Sequence, residues 1–250
     1  LMTMRAYTEG CRALATAAAA AFDAAHHHTD AETRQANKAF YEFMVPLVKG
    51  FSTEMSLEVT SLGVQVHGGM GFIEETGAAQ YYRDAKILTI YEGTTAIQAN
   101  DLVGRKTARD GATQALALAE QIARTEADLM AVGSDDAQAM ASSLKAAREA
   151  FQSAAQFIAA NASANPNAAF AGSVPYLMLT GNVMAGWQMA RALLAVEGLS
   201  GDEVFGDAFL QAKRVTCRFY ADHILTKVPG LRDSIVQGAD SVNAMALEAF

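Results

Sequence analysis

Residues 4–25 read MRAYTEGCRALATAAAAAFDAA. Within them Met4, Tyr7, Cys11, Leu14, Ala18, Ala21 and Ala25 recur at alternating intervals of three and four. That spacing lines one side of an α-helix and predicts a bundle seam. Alanine, the strongest helix former, fills Ala17 to Ala21, and its small side chain lets another helix come close. The run ends at His26, His27 and His28, which cannot share one helical face. They read as cations suited to a helix C-terminus, and no metal site is expected of them.

The same period continues outward. Asp30 stands where a cap is wanted, before a second helix with Phe40, Phe43 and Leu47 on one side. A third helix, about Thr53 to Val66, carries Met55, Val59, Leu62 and Val66 and stops at His67-Gly68-Gly69-Met70-Gly71. From Gly71 to Thr95 the chain reads as loop, short helix with Arg83 and Asp84, and loop again. A helix from about Ala96 to Lys106 follows, with Gly104 near its end. Beyond Thr107 four helical stretches are expected, at about Ala112 to Ala131, Asp135 to Ala162, Ala168 to Val196 and Glu203 to Lys227. The second has a seam of Leu144, Ala147, Phe151, Ala154 and Ile158, and the fourth one of Phe205, Phe209, Ala212, Thr216 and Phe219. Turn chemistry at Gly133-Ser134, Asn165-Pro166 and Gly198 to Gly201 separates them, and Pro175 is expected to kink the third. No alternating strand pattern of useful length interrupts the helices. The expected fold is all-α: two consecutive helical bundles, residues 1–106 and an accessory four-helix unit at 107–250.

Composition narrows the function. Half of the 250 residues are hydrophobic, enough for a substantial core, yet no apolar run reaches the roughly 18 residues of a membrane span. A net charge of −8 argues against a nucleic-acid partner, which calls for basic patches. Two distant cysteines, Cys11 and Cys217, suit reduced thiols and a cytoplasmic setting. No cysteine–histidine set has zinc spacing, and no Glu-x-x-His pair offers a di-iron site. Read alone, the glycines after His67 form a tight turn between helices. Ile90-Tyr91-Glu92-Gly93-Thr94-Thr95 is less ordinary: one carboxylate in a loop, among apolar and aromatic residues, beside a glycine. Desolvation there would raise its pKa, the setting of a general base, although a solvent-facing loop glutamate is the commoner case.

Three stretches, in this order and spacing, carry more. Val64-Gln65-Val66-His67-Gly68-Gly69-Met70-Gly71-Phe72, then Tyr82-Arg83-Asp84-Ala85-Lys86, then Ile90-Tyr91-Glu92-Gly93-Thr94-Thr95-Ala96-Ile97-Gln98 resemble the acyl-CoA dehydrogenase family. The resemblance covers Leu1 to Lys106. The remainder resembles the extra C-terminal helical domain of the longer members, which act on long acyl chains or on methylthiopropanoyl-CoA. Family members have an N-terminal helical domain, a middle β domain and a C-terminal bundle. Only the last is expected here, without its first helix, which agrees with a chain opening at Leu1 with neither initiator Met nor cap. The fragment alone is therefore expected to be colourless and inactive.

The resemblance implies that Glu92 removes the α-proton of an acyl-CoA thioester while a hydride leaves the β-carbon for flavin N5, giving a trans-2-enoyl-CoA. It implies that the amide of Glu92 helps to hold the thioester carbonyl. Gly93 would let the substrate approach, and Tyr91 would line the acyl pocket. Thr94 and Thr95 would touch FAD. Gln65, Val66, His67, Gly68 and Gly69 would contact an FAD held mainly by a neighbouring subunit. Arg83 and Asp84 would fix the loop that carries Glu92. Ala96 departs from the family's usual Glu or Gln, which removes one polar contact to FAD and favours the longer subgroup. Electron-transfer flavoprotein is the implied acceptor. The accessory bundle would cover the face through which shorter members form tetramers, leaving a homodimer. Alternatives are an acyl-CoA oxidase using oxygen, a non-catalytic nucleic-acid-binding or scaffold relative, and a plain helical interaction module, which would leave the ordered motifs unexplained.

Overall fold

A computed structural model describes residues 1–199 and 204–249. Among them every regular element is helical. The first, α1 (Met2–His27), buries Tyr7, Leu14 and Ala21 of the expected seam, and its last turn holds His26 and His27. Asp30 caps α2 (Ala31–Pro46), accepting from the Thr33 N–H at 2.7 Å.

The second and third expected helices form one continuous rod. Pro46 ends α2, since it has no N–H to give and its ring crowds the preceding turn. Instead of breaking, the chain widens into a π-type segment, Leu47–Phe51, in which the Ser52 N–H reaches back five residues to the Leu47 carbonyl. It then resumes as α3 (Ser52–Val66). Short helix α4 (Gly69–Phe72) and a 3₁₀ turn lead to α5 (Ala78–Leu88). After the loop at 89–94 comes α6 (Thr95–Asp101), again continued by a π-type segment, Leu102–Ala108. A turn at 109–112 leads to the second half, and in it Gly111 (φ 64°) and Ala112 (φ 66°) are both left-handed.

The second half contains α7 (Thr113–Val132), α8 (Asp135–Asn161), α9 (Pro166–Ala171), α10 (Ser173–Gly198), α11 (Asp207–His223), α12 (Val228–Gln237) and α13 (Ala239–Val242). Ser134 and Asn165 cap α8 and α9, and Pro166 opens α9, where no N–H is needed. The seam of α8 is buried as expected.

Three expectations change. The expected third stretch is split at Gly172, where α12 crosses so closely that a β-carbon would lie 3.1 Å from Ile235 Cα. Pro175 sits in the first turn of α10, where its missing N–H matters little. The seam of α11 is met only in part: Thr216 is buried and Phe219 half-buried as expected, but Phe205 and Phe209 are 49% and 47% exposed and stack on each other at 5.6 Å, and Leu210, Cys217, Tyr220 and Ala221 complete the core face. Ser200, Gly201 and Glu203, expected in a turn and at a helix start, lie outside the described residues.

Helix α10 is the axis of the molecule. It is buried on almost every side and packs against α1, α6, α7, α8, α11 and α12. Apolar side chains from both halves, from Leu14 and Phe43 to Leu144 and Ile224, form one contiguous core. No helix of the described residues is long and apolar enough to cross a membrane.

Candidate active site

The loop at 89–94 joins the end of α5 to the start of α6. The Thr95 N–H donates to the Thr89 carbonyl at 3.2 Å and closes its mouth, and the Tyr91 N–H donates to the Ile87 carbonyl at 3.1 Å. Thr94 caps α6, its hydroxyl accepting from the Ile97 N–H at 3.4 Å. Between these fixed points the backbone turns left-handed twice, at Glu92 (φ 51°) and Gly93 (φ 96°). A glutamate there is uncommon and strained by about 1 kcal/mol. At position 93 a β-carbon would lie 2.8 Å from Gln98 Nε2, so only glycine fits without a shift.

Two side chains of the long rod grip this loop. Lys49 Nζ donates to the Leu88 carbonyl at 2.6 Å and stands 5.1 Å from the ring centre of Tyr91. Glu54 accepts from the Thr95 hydroxyl. Neither was singled out from the sequence, where each reads as a solvent-facing charge far from the motif.

Glu92 itself is exposed and makes no ion pair or side-chain hydrogen bond among the described residues. Its backbone N–H is unpaired there too. The apolar enclosure expected around the carboxylate is thus not supplied by this chain: the flanking Ile90 and Tyr91 are themselves exposed. Arg83 does not hold the loop. Its guanidinium pairs with Glu74 and ties α5 to the 3₁₀ turn at 74–76.

The glycine turn lies elsewhere. Gln65, Val66, His67, Gly68 and Gly69 are all exposed at the C-terminal end of α3. His67 Nδ1 lies 2.8 Å from the Gly63 carbonyl, and Gly68 adopts φ 61°, ψ −144°, a conformation reserved for glycine. A β-carbon at Gly68 or Gly69 would meet nothing within 4 Å, so this backbone is open to a ligand. Glu54 and Gln65 mark opposite ends of α3, about 16 Å apart along its axis at 1.5 Å per residue. The chain therefore does not bring the glycine turn and the Glu92 loop into one site. Met70 and Phe72 of α4 and Tyr81 and Tyr82 of α5 are exposed, Phe72 at 81%.

The model of the acyl-CoA dehydrogenase C-terminal domain matches residues 1–107, and one described as acetyl-CoA dehydrogenase C-terminal like matches residues 113–246. The chain belongs to the acyl-CoA dehydrogenase family. Among relatives of this acyl-CoA dehydrogenase chain, a 3-methylmercaptopropionyl-CoA dehydrogenase of Ruegeria pomeroyi is 51% identical over 99% of the chain and 42% of the relative. A broad-specificity linear acyl-CoA dehydrogenase of Mycobacterium tuberculosis is 33% identical over 94% of the chain and 40% of the relative. The chain thus spans about two fifths of the length of these relatives. A crystal structure of an acyl-CoA dehydrogenase complexed with FAD, from Bacillus anthracis, shares the fold over 97% of this chain and 42% of its own, with a TM-score of 0.72 and 20% identity.

Proposed function

We propose that this acyl-CoA dehydrogenase chain supplies the catalytic base of an FAD-dependent enzyme that converts an acyl-CoA into a trans-2-enoyl-CoA. The observation that carries the reading is Glu92: an exposed carboxylate without a salt-bridge partner among the described residues, on a left-handed loop anchored at both ends. A base must be free to accept a proton yet fixed in direction, and this loop meets both conditions. The carboxylate takes the α-proton. The Glu92 N–H, unpaired among the described residues, donates to the thioester carbonyl and stabilises enolate-like charge. Gly93 lets the thioester approach, and Tyr91 lines the acyl pocket.

FAD, when bound, supplies the hydride acceptor. The residues present fit it. The Thr94 hydroxyl accepts from Ile97 and keeps its own proton to donate, and Thr95 donates to Glu54 and keeps lone pairs. At the far end of α3, the Gln65 amide, Val66, His67 and the open backbone of Gly68 and Gly69 hold a second FAD, bound mainly by a partner subunit. Residues 1–106 are the catalytic bundle and 107–250 an accessory unit that replaces a tetramer contact, so the enzyme is a homodimer. It works in the cytoplasm and passes electrons to electron-transfer flavoprotein. The 51% relative favours a short thioether acyl group over a long chain.

The test is Glu92→Gln in the full-length enzyme, assayed with an artificial acceptor and a panel of acyl-CoAs. Turnover falls about a hundredfold or more while FAD and acyl-CoA still bind. Near-normal turnover overturns the assignment.

A further inference from the structure

We propose that Lys49 and Glu54, two side chains of one rod, are positioning residues for Glu92. The inference rests on Glu92 being the base. Lys49, in the π-type segment, reaches the carbonyl of Leu88, the last residue of α5, while Glu54, in the first turn of α3, reaches the hydroxyl of Thr95, the first residue of α6.

Each charge suits the helix end it holds. A cation is favoured at a helix C-terminus and an anion at an N-terminus, and Lys49 and Glu54 stand at those ends of α5 and α6. Lys49 also lies beside the ring of Tyr91, the residue before the base. The grip explains how a glutamate keeps a left-handed backbone on an exposed loop. With either rim released, φ at Glu92 can relax to negative values and the carboxylate swings away from a fixed direction. Misplacement by about 1 Å is enough for a hundredfold loss of rate.

The experiment uses the full-length, FAD-loaded enzyme with Lys49→Met, Glu54→Ala, and the conservative pair Lys49→Arg and Glu54→Gln. Lys49→Met and Glu54→Ala lower kcat about ten- to a hundredfold. The KM for acyl-CoA, FAD content and melting temperature stay near wild type. Amide exchange at Tyr91 and Thr95 speeds up at least about tenfold as the loop hydrogen bonds open more often. Lys49→Arg and Glu54→Gln, which keep a donor and an acceptor in place, restore most of kcat. Unchanged kcat and exchange overturn the proposal. So does faster exchange with unchanged kcat, or a kcat loss matched by loss of FAD and melting temperature. Glu92→Gln assayed alongside separates the two readings: intact turnover there means the base is misassigned, whereas lost turnover leaves the Lys49 and Glu54 variants to judge the grip.

Discussion

The ring of Phe51 fills the space that a β-carbon at position 181 would occupy, 2.1 Å from its Cγ. Phe51 ends the π-type segment of the long rod and Gly181 lies in α10, so this contact joins the two halves of the chain at full burial. Gly181→Ala forces the ring or the helix to move. We expect a loss of about 1–3 kcal/mol, typical of overpacking, read as a lower melting temperature. An unchanged melting temperature would show that the ring has room.

Arg148 and Glu126 form a two-point ion pair between α7 and α8, with N–O distances of 2.7 and 3.0 Å and side chains only 13% and 11% exposed. Gln152 takes a further Arg148 donor at 2.8 Å. Arg148→Met leaves the Glu126 carboxylate half-desolvated and unpaired. A loss of about 3 kcal/mol in urea unfolding is expected. A double variant with Glu126→Gln loses less than the sum of the two singles, because the stranded charge is gone.

Burial pushes the Cys11 thiol up from 9.0 to about 11 and the Cys217 thiol to about 12. At pH 8 both are almost wholly protonated, so a thiol reagent labels the native protein at least about a hundredfold more slowly than the unfolded chain. Labelling quickens with pH until the thiolates form. A raised pKa means that the native state holds the proton more tightly than the unfolded one. The associated stability is complete below pH 9 and is lost as pH rises through 11 and 12. Rapid labelling of Cys217 at pH 8 contradicts its burial.

Because the glycine turn and the Glu92 loop occupy opposite ends of α3, Gln65 and Glu92 of one protomer are expected to serve different active sites. Gln65→Ala weakens FAD retention in the assembled enzyme without altering its fold. Mixed dimers of Gln65→Ala with Glu92→Gln contain some sites with neither lesion and regain activity. Hybrids no better than their parents rule out sharing.

The full-length protein is expected to be a homodimer by light scattering. Deleting everything after Thr107 strips α10 from the shared core and causes aggregation or higher assembly. A stable tetramer of the intact protein, or a soluble, normally stable truncated dimer, argues against the accessory unit as a replacement contact.

Much of this molecule is legible in its residues. The seams of α1 and α8, the cap at Asp30 and the breaks at Gly133-Ser134 and Asn165-Pro166 follow from local chemistry and lie where expected. The π-type segments were not legible, because they come from hydrogen-bond register and from packing against α10, which the hydrophobic period does not encode. Helix α12 was missed since Val228-Pro229-Gly230 reads as a stop, whereas proline at the second position of a helix is a start. Of the seam expected in α11, Thr216 is buried, whereas Phe205 and Phe209, placed there for their hydrophobicity, lie exposed because tertiary contact selected Leu210, Cys217 and Tyr220 instead. At the site, the Glu92 loop was recognisable from its motif. Lys49 and Glu54 were not, because they meet that loop from about 40 residues away, at separations of 39 and 41.

The α1–α11 contact sets an order on biosynthesis. Lys213 pairs with Glu9 across 204 residues, and Gly10 is packed under the ring of Tyr220. A ribosome adding about 5–20 residues per second needs roughly 10–40 s to travel from one partner to the other. Throughout that interval the part of α1 around Tyr7 and Gly10 lacks the cover of Tyr220, a natural client for a chaperone. A message cut short anywhere before α11 yields a chain in which α1 never meets Tyr220 and Lys213.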